Sequence, residues 1–163
     1  MELTFYTCAL VALASALRCV THTNPVHSLL YLVVLLLAVA GIFFAIGAPF
    51  AGALEVIIYA GAIMVLFVFV VMMLNLGAET AEQERAWLKP RTWIGPVILS
   101  TVMLASLVFG MLHAPGATGT ATVGAKQVGI SLFGPYLLAV ELASLMLLGA
   151  LVAAYHLGRE ETR

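Results

Sequence analysis

The sequence predicts an all-α integral membrane protein with five transmembrane helices, and three observations carry that prediction. Hydrophobic residues make up 63% of the 163-residue chain and charged residues only 9%, whereas about a quarter of an ordinary soluble domain is charged. The apolar residues come in long unbroken runs rather than in alternation with period two, which is the pattern of helices and not of the strands of an outer-membrane barrel. Several runs reach the ~20 residues that a helix rising ~1.5 Å per residue needs to cross ~30 Å of hydrocarbon. The chain contains no Asp, and its net charge of -1 comes with no basic stripe for nucleic acid.

The first span covers about residues 3–20. It is preceded by Glu2 and carries its one basic residue, Arg18, at the far end, the reverse of the charge order of a signal peptide, so it reads as a retained helix. Thr21 to Pro25 is a short polar connection in which Asn24 reads as an N-cap and Pro25 as the first helical residue, where its missing N–H is not needed. The second span follows at 25–46. Gly47-Ala48-Pro49 has the length of a tight turn only, so the second and third spans are expected to be antiparallel neighbours.

The third span, 50–76, is the longest, at about 40 Å if helical, and Gly77 is its plausible C-cap. A loop at 77–92 holds Glu79, Glu82, Glu84, Arg85, Lys89 and Arg91, with Trp87 and Trp93 near its end as interfacial anchors. The fourth span is expected at 93–112, with Pro96 tolerated in its first turn. A loop rich in Gly, Ala and Thr follows at 113–131, then a fifth span at 132–156. With the N-terminus in the periplasm and the C-terminus in the cytoplasm, Arg18, Arg85, Lys89, Arg91, Arg159 and Arg163 all fall on the cytoplasmic side and only Lys126 on the other, as the positive-inside rule requires. The chain is then a single membrane domain, 1–163, with a cytoplasmic loop at 77–92 and a periplasmic loop at 113–131.

Two acids lie inside spans. Glu55 sits in the third, about five residues below the periplasmic surface in this orientation. A carboxylate at membrane depth costs roughly 2.5 kcal/mol or more unless it is paired, solvated or protonated, so a functional role is expected, the alternative being a neutral acid bonded to a neighbouring helix. Tyr59 is one turn away and able to hydrogen-bond it. Ala60-Gly61-Ala62 then makes a weak point, where a one-residue π-bulge would rotate Met64, Val65 and Phe67 by about 100° relative to Glu55. A plain close helix contact at Gly61 is the competing reading. Glu141, between Ala139 and Ala143 in the fifth span, reads first as a packing acid with small neighbours.

His22, His27 and His156 stand near helix ends and read as solvated or capping groups. Met64, Met72, Met73 and Met146 read as gap-filling residues. Cys8 and Cys19 are too far apart along one helix for a disulfide and read as small packing residues. Without a C-x-x-C pair, a Cys/His cluster or a Gly-rich phosphate loop, nothing in the chain is expected to hold an iron–sulfur centre, a flavin or a nucleotide. Its chemistry is protonic or supplied by partners.

The runs THTNPVHSLLYL from Thr21, AGALEVIIYAGAIMVLFVFVVMMLN from Ala51 and LFGPYLLAVELAS from Leu132 closely resemble the J-subunit family of bacterial NADH:quinone oxidoreductase, respiratory complex I. The resemblance covers nearly the whole chain except the loop from His113 to Gly129. It implies a core subunit of the proton-pumping membrane arm in the bacterial inner membrane, beside subunits A, H and K and the antiporter-like subunits. It implies no cofactor on this chain, the complex as a whole using NAD, FMN, iron–sulfur clusters and quinone. In the family the acid, Tyr and Gly standing here as Glu55, Tyr59 and Gly61 lie on a third helix that adopts a π-bulge, and its rotation is thought to gate a water path. Two other readings stand beside it: a subunit of a related cation/proton antiporter or membrane-bound hydrogenase, and a purely structural assembly subunit.

Overall fold

A computed structural model describes residues 2–22, 25–74, 90–112 and 122–159. Among them there are only helices and turns, and five helical stretches are long and apolar enough to cross a membrane. The chain divides into two compact units, residues 1–122 and 123–163.

In the first unit, α1 (Glu2–Thr21) and α2 (Pro25–Ala45) lie along each other, and α5 (Pro90–Leu112) packs against both. Their shared core is Cys8, Val11 and Ala12 of α1, Val34 and Ala38 of α2 and Met103 of α5, with Leu35, Leu99 and Leu107 closing around it. The helices approach closely because glycine stands at the crossings. A Cβ on Gly41 would lie 2.9 Å from Cys8 Sγ, one on Gly110 2.6 Å from Thr4 Oγ1, and one on Gly95 would collide with the Tyr31 hydroxyl. Small residues at crossings are the usual way helices associate where lipid removes the hydrophobic drive between them.

The turn between α2 and the third span closes as a Schellman motif. Gly47 takes the left-handed conformation at φ 84°, Gly47 N–H donates to Phe44 O at 3.2 Å, and Ala48 N–H donates to Phe43 O at 2.9 Å. Pro49 then opens the next helix at its first position.

The third span is one continuous helical path in three parts: α3 (Pro49–Leu54), a π-helix π1 (Glu55–Ile63) and α4 (Met64–Leu74). All three parts contact α2. Gly52 is buried against Ala40 O and the Phe44 ring, where an added Cβ would stand 3.1 Å from each. The expectation of a one-residue bulge therefore needs enlarging: nine residues are π-helical. The charged loop expected at 77–92 lies outside the described residues except for 90–92, which belong to the first turn of α5.

The second unit holds α6 (Ala125–Leu132) and α7 (Leu137–Gly158). The composition of 113–131 predicts a loop, but its last part is helical. Gly124 N–H donates to Gln127 Oε1 at 3.1 Å, a side-chain bond that satisfies the start of α6 and offsets the turn-like composition. The break between α6 and α7 falls at Phe133–Tyr136. Tyr136 N–H donates to Ser131 O at 3.1 Å, and a Cβ on Gly134 would lie 2.8 Å from Ile130 O, so only glycine fits this turn. α7 accordingly starts at Leu137 and not at 132. None of its residues is buried within its own unit.

An acid at the head of a π-helix

Glu55 stands where the hydrogen-bond register changes. Its own N–H reaches back to Ala51 O and Gly52 O, four and three residues earlier, as in an ordinary helix end. From Glu55 onward the wider i→i+5 register takes over. It ends at Met64, whose N–H is shared between Gly61 O and Tyr59 O, three and five residues back. The change is made with unstrained backbone angles: Leu54 at φ -65°, ψ -38° and Met64 at φ -67°, ψ -40° are both ordinary right-handed helix.

The sequence explains why this stretch yields. Glu55–Ile63 contacts α2, yet none of its nine residues is buried. Gly61 supplies the local freedom, its Cα facing Val56 O at a distance that leaves an added Cβ 3.2 Å from that carbonyl. π-helical turns are rare and concentrate at functional sites. A membrane span tolerates the altered register because its carbonyls still find N–H partners in the same helix.

The candidate residues separate into two groups. Glu55, Tyr59, Ala60, Gly61 and Ala62 all lie on π1, and Met64 is the first residue beyond it. Met64 is only 2% exposed, whereas Tyr59, Val65 and Phe67 are 51%, 65% and 53% exposed. The π segment thus runs between two fixed points, Gly52 against α2 and Met64. Of the four methionines read as gap-fillers, only Met64 fills one; Met72, Met73 and Met146 lie on the surface of the chain. Tyr59 lies four residues beyond Glu55, but no hydrogen bond joins the two side chains among the described residues. Glu141 is on α7 in the second unit. It is exposed there, and its backbone carbonyl accepts a 2.7 Å hydrogen bond from Ser144 Oγ.

One further expectation changes. His27 is buried and not solvated: its ring meets that of His22 edge to face at 4.9 Å, with Tyr31 beyond. The approach of α1 to α2 brings these rings together, which no local pattern announces. Ser28 Oγ donates to His22 O at 3.2 Å and satisfies a carbonyl left open just past the end of α1. The contact of Gly95 with Tyr31 is likewise a product of packing that no local pattern announces. Cys8 and Cys19 are both free thiols, Cys8 fully buried. No three His, Cys, Asp or Glu side chains gather among the described residues.

Fold and site together define a polytopic helical membrane protein in which one span carries an acid at the head of a π-helix. Residues 15–157 match the family described as NADH-ubiquinone/plastoquinone oxidoreductase chain 6. The chain is 63% identical to NADH-quinone oxidoreductase subunit J of Escherichia coli over 99% of its own length and 88% of that protein. It is 60% identical to the subunit J of Pseudomonas aeruginosa over 100% of this chain and 99% of that one. For the subunit J of Buchnera aphidicola from Schizaphis graminum the identity is 51%, over 99% of each. The chain belongs to this family, and is a multi-pass protein of the bacterial inner membrane.

Proposed function

We propose that the chain is a core membrane-arm subunit of a proton-pumping NADH:quinone oxidoreductase, and that π1 is the element through which quinone reduction is coupled to proton translocation. The names of its relatives favour this over an antiporter or hydrogenase subunit. The observation that carries the coupling role is the coincidence of the intramembrane acid with the first residue of the π-helix.

Reversion of a π turn to α register removes one residue from that turn, and so rotates everything beyond it by about 100°. In such a change Glu55 is the proton-path or electrostatic-coupling carboxylate and Tyr59 its partner. Ala60, Gly61 and Ala62 are the yielding segment, and Met64, Val65 and Phe67 are the bulky residues swung across the path. Glu141 is a second carboxylate of the same machinery. The apolar side chains around Glu55 carry no proton themselves, so the path is completed by water or by partner helices. A gate of this kind is a two-state element whose populations are shifted by whatever binds one state better.

The reading assigns no redox centre to this chain. NAD, FMN, iron–sulfur clusters and quinone act on other subunits of the complex. The partners are subunits A, H and K and the antiporter-like subunits, within the lipid bilayer, with this chain's N-terminus in the periplasm and its C-terminus in the cytoplasm.

The test is NADH-driven proton pumping measured with NADH oxidation in membranes carrying Gly61→Leu, with assembly of the complex checked in the same preparation. A side chain at 61 presses on Val56 O. Assembled complex in which both activities fall together supports the gate, and assembled complex that pumps fully refutes it. Glu55→Gln separates coupling from assembly, since a purely structural acid predicts normal pumping when its hydrogen bonding is kept.

A further inference from the structure

At the end of α1 that carries Arg18, a cleft of ≈ 470 Å³ opens between α1, α2 and α5, within the usual volume of a ligand pocket. Its lining has two kinds of chemistry. Arg18 and the hydroxyl-bearing Thr21 and Tyr31 stand toward the helix end, and Leu17, Ile98 and Leu99 form apolar wall. Thr21 Oγ1 donates to Leu17 O at 2.7 Å, which leaves its oxygen free to accept. Tyr31 is held by Gly95, where even one added carbon would collide with the hydroxyl. Arg18 is exposed, and among the described residues no acid lines the cleft.

Arg18 lies three residues from the end of a 20-residue span, the depth at which phospholipid phosphates sit and to which a long basic side chain reaches. We propose that this cleft holds an anionic phospholipid: Arg18 takes the phosphate, Thr21 and Tyr31 face the glycerol and ester oxygens, and an acyl chain runs along Leu17, Ile98 and Leu99. The charge favours a lipid over an apolar partner helix, because a phosphate offers the guanidinium a charge-assisted hydrogen bond that an apolar helix seated on the cleft does not. The assignment is independent of the gate at π1.

A photoreactive phosphatidylglycerol with a diazirine in its acyl chain tests it. The assembled complex is labelled in nanodiscs beside a phosphatidylcholine probe of the same chain, and the sites are mapped by peptide mass spectrometry. Expected is labelling of this chain within residues 14–21 and 94–102, phosphatidylglycerol above phosphatidylcholine. Arg18→Gln should weaken it about fivefold, the effect of one basic group beside an anionic surface, and Ala14→Phe, which fills the cleft, should remove labelling by both probes. Equal labelling by the two lipids with no effect of Arg18→Gln overturns the proposal. So does an unlabelled cleft in which benzoylphenylalanine in place of Ile98 cross-links another protein subunit. Should Ala14→Phe prevent assembly, the Arg18→Gln comparison decides alone.

Discussion

The three-helix bundle of α1, α2 and α5 and the third span are made from equally apolar sequence, yet they hold their shape by different means. In the bundle, glycines let helices touch, and side chains interlock around Cys8, Val11 and Ala38. The third span is pinned at Gly52 and Met64, and between those points its nine π-helical residues bury nothing. Rigidity here comes from close contact. Where contact with α2 leaves no residue buried, the backbone register becomes the variable, and the chain places its acid there.

The contrast is broken most directly at the glycine crossings. Gly95→Ala sets a methyl group against the Tyr31 hydroxyl in a tight site, and overpacking of this kind costs about 1–3 kcal/mol or more. The expected result is strong loss of the chain from membranes, with partial recovery in Gly95→Ala combined with Tyr31→Phe, which removes the colliding oxygen. Failure of the second change to restore any chain would place the damage elsewhere than at this contact. Met64→Ala comes next. Truncating a buried methionine costs about 2–5 kcal/mol, here at the lower end because Val65 and Leu66 beside it are already exposed. The readout is the temperature at which the chain is lost from detergent-solubilised complex, and a fall in pumping larger than the fall in assembled complex would tie this anchor to the gate.

A smaller and opposite effect is expected inside the bundle. Ser15 is fully buried, and its hydroxyl finds no hydrogen-bond partner among the described residues. An unsatisfied buried hydroxyl costs about 1–3 kcal/mol, so Ser15→Ala should be neutral or raise that loss temperature. A clear fall would mean that the hydroxyl is bonded in the assembled protein.

These cases also show how far the residues alone could be read. The five spans, the turn at Gly47 and the proline start of α2 follow from composition and backbone constraints that act locally, and all are visible in the chain itself, whereas Pro49, read as part of the turn, is the first residue of the third span's helix. Glu55 and Gly61 are conspicuous for the same reason, as a charge and a missing side chain inside an apolar run. The extent of π1 is not legible, because α and π registers satisfy the same backbone groups with nearly the same angles. The choice rests on how firmly neighbours hold the turn, and the buried residues Gly52 and Met64 flank it while none of its own residues is buried. Tyr31 against Gly95 and His27 against His22 are products of helix packing, which has no local signature. The start of α7 lies at Leu137 and not at 132 because the contact that decides it, Gly134 against Ile130 O, depends on how the chain has already turned.

The least disruptive substitution probes α7, none of whose residues is buried within its own unit. Gly149 lies in the middle of α7 with nothing within 4 Å of an added Cβ, the reverse of Gly41 and Gly95. Gly149→Ala therefore removes a flexible residue from a helix interior and adds no clash, a change worth up to about 1 kcal/mol in favour of the helix. Chain recovered from membranes should be unchanged or slightly raised, and assembly unaffected. If instead assembly falls while the amount of chain holds, another subunit approaches α7 as closely as α1 approaches Gly41. Glycine in this protein would then mark intersubunit contacts as well as internal ones.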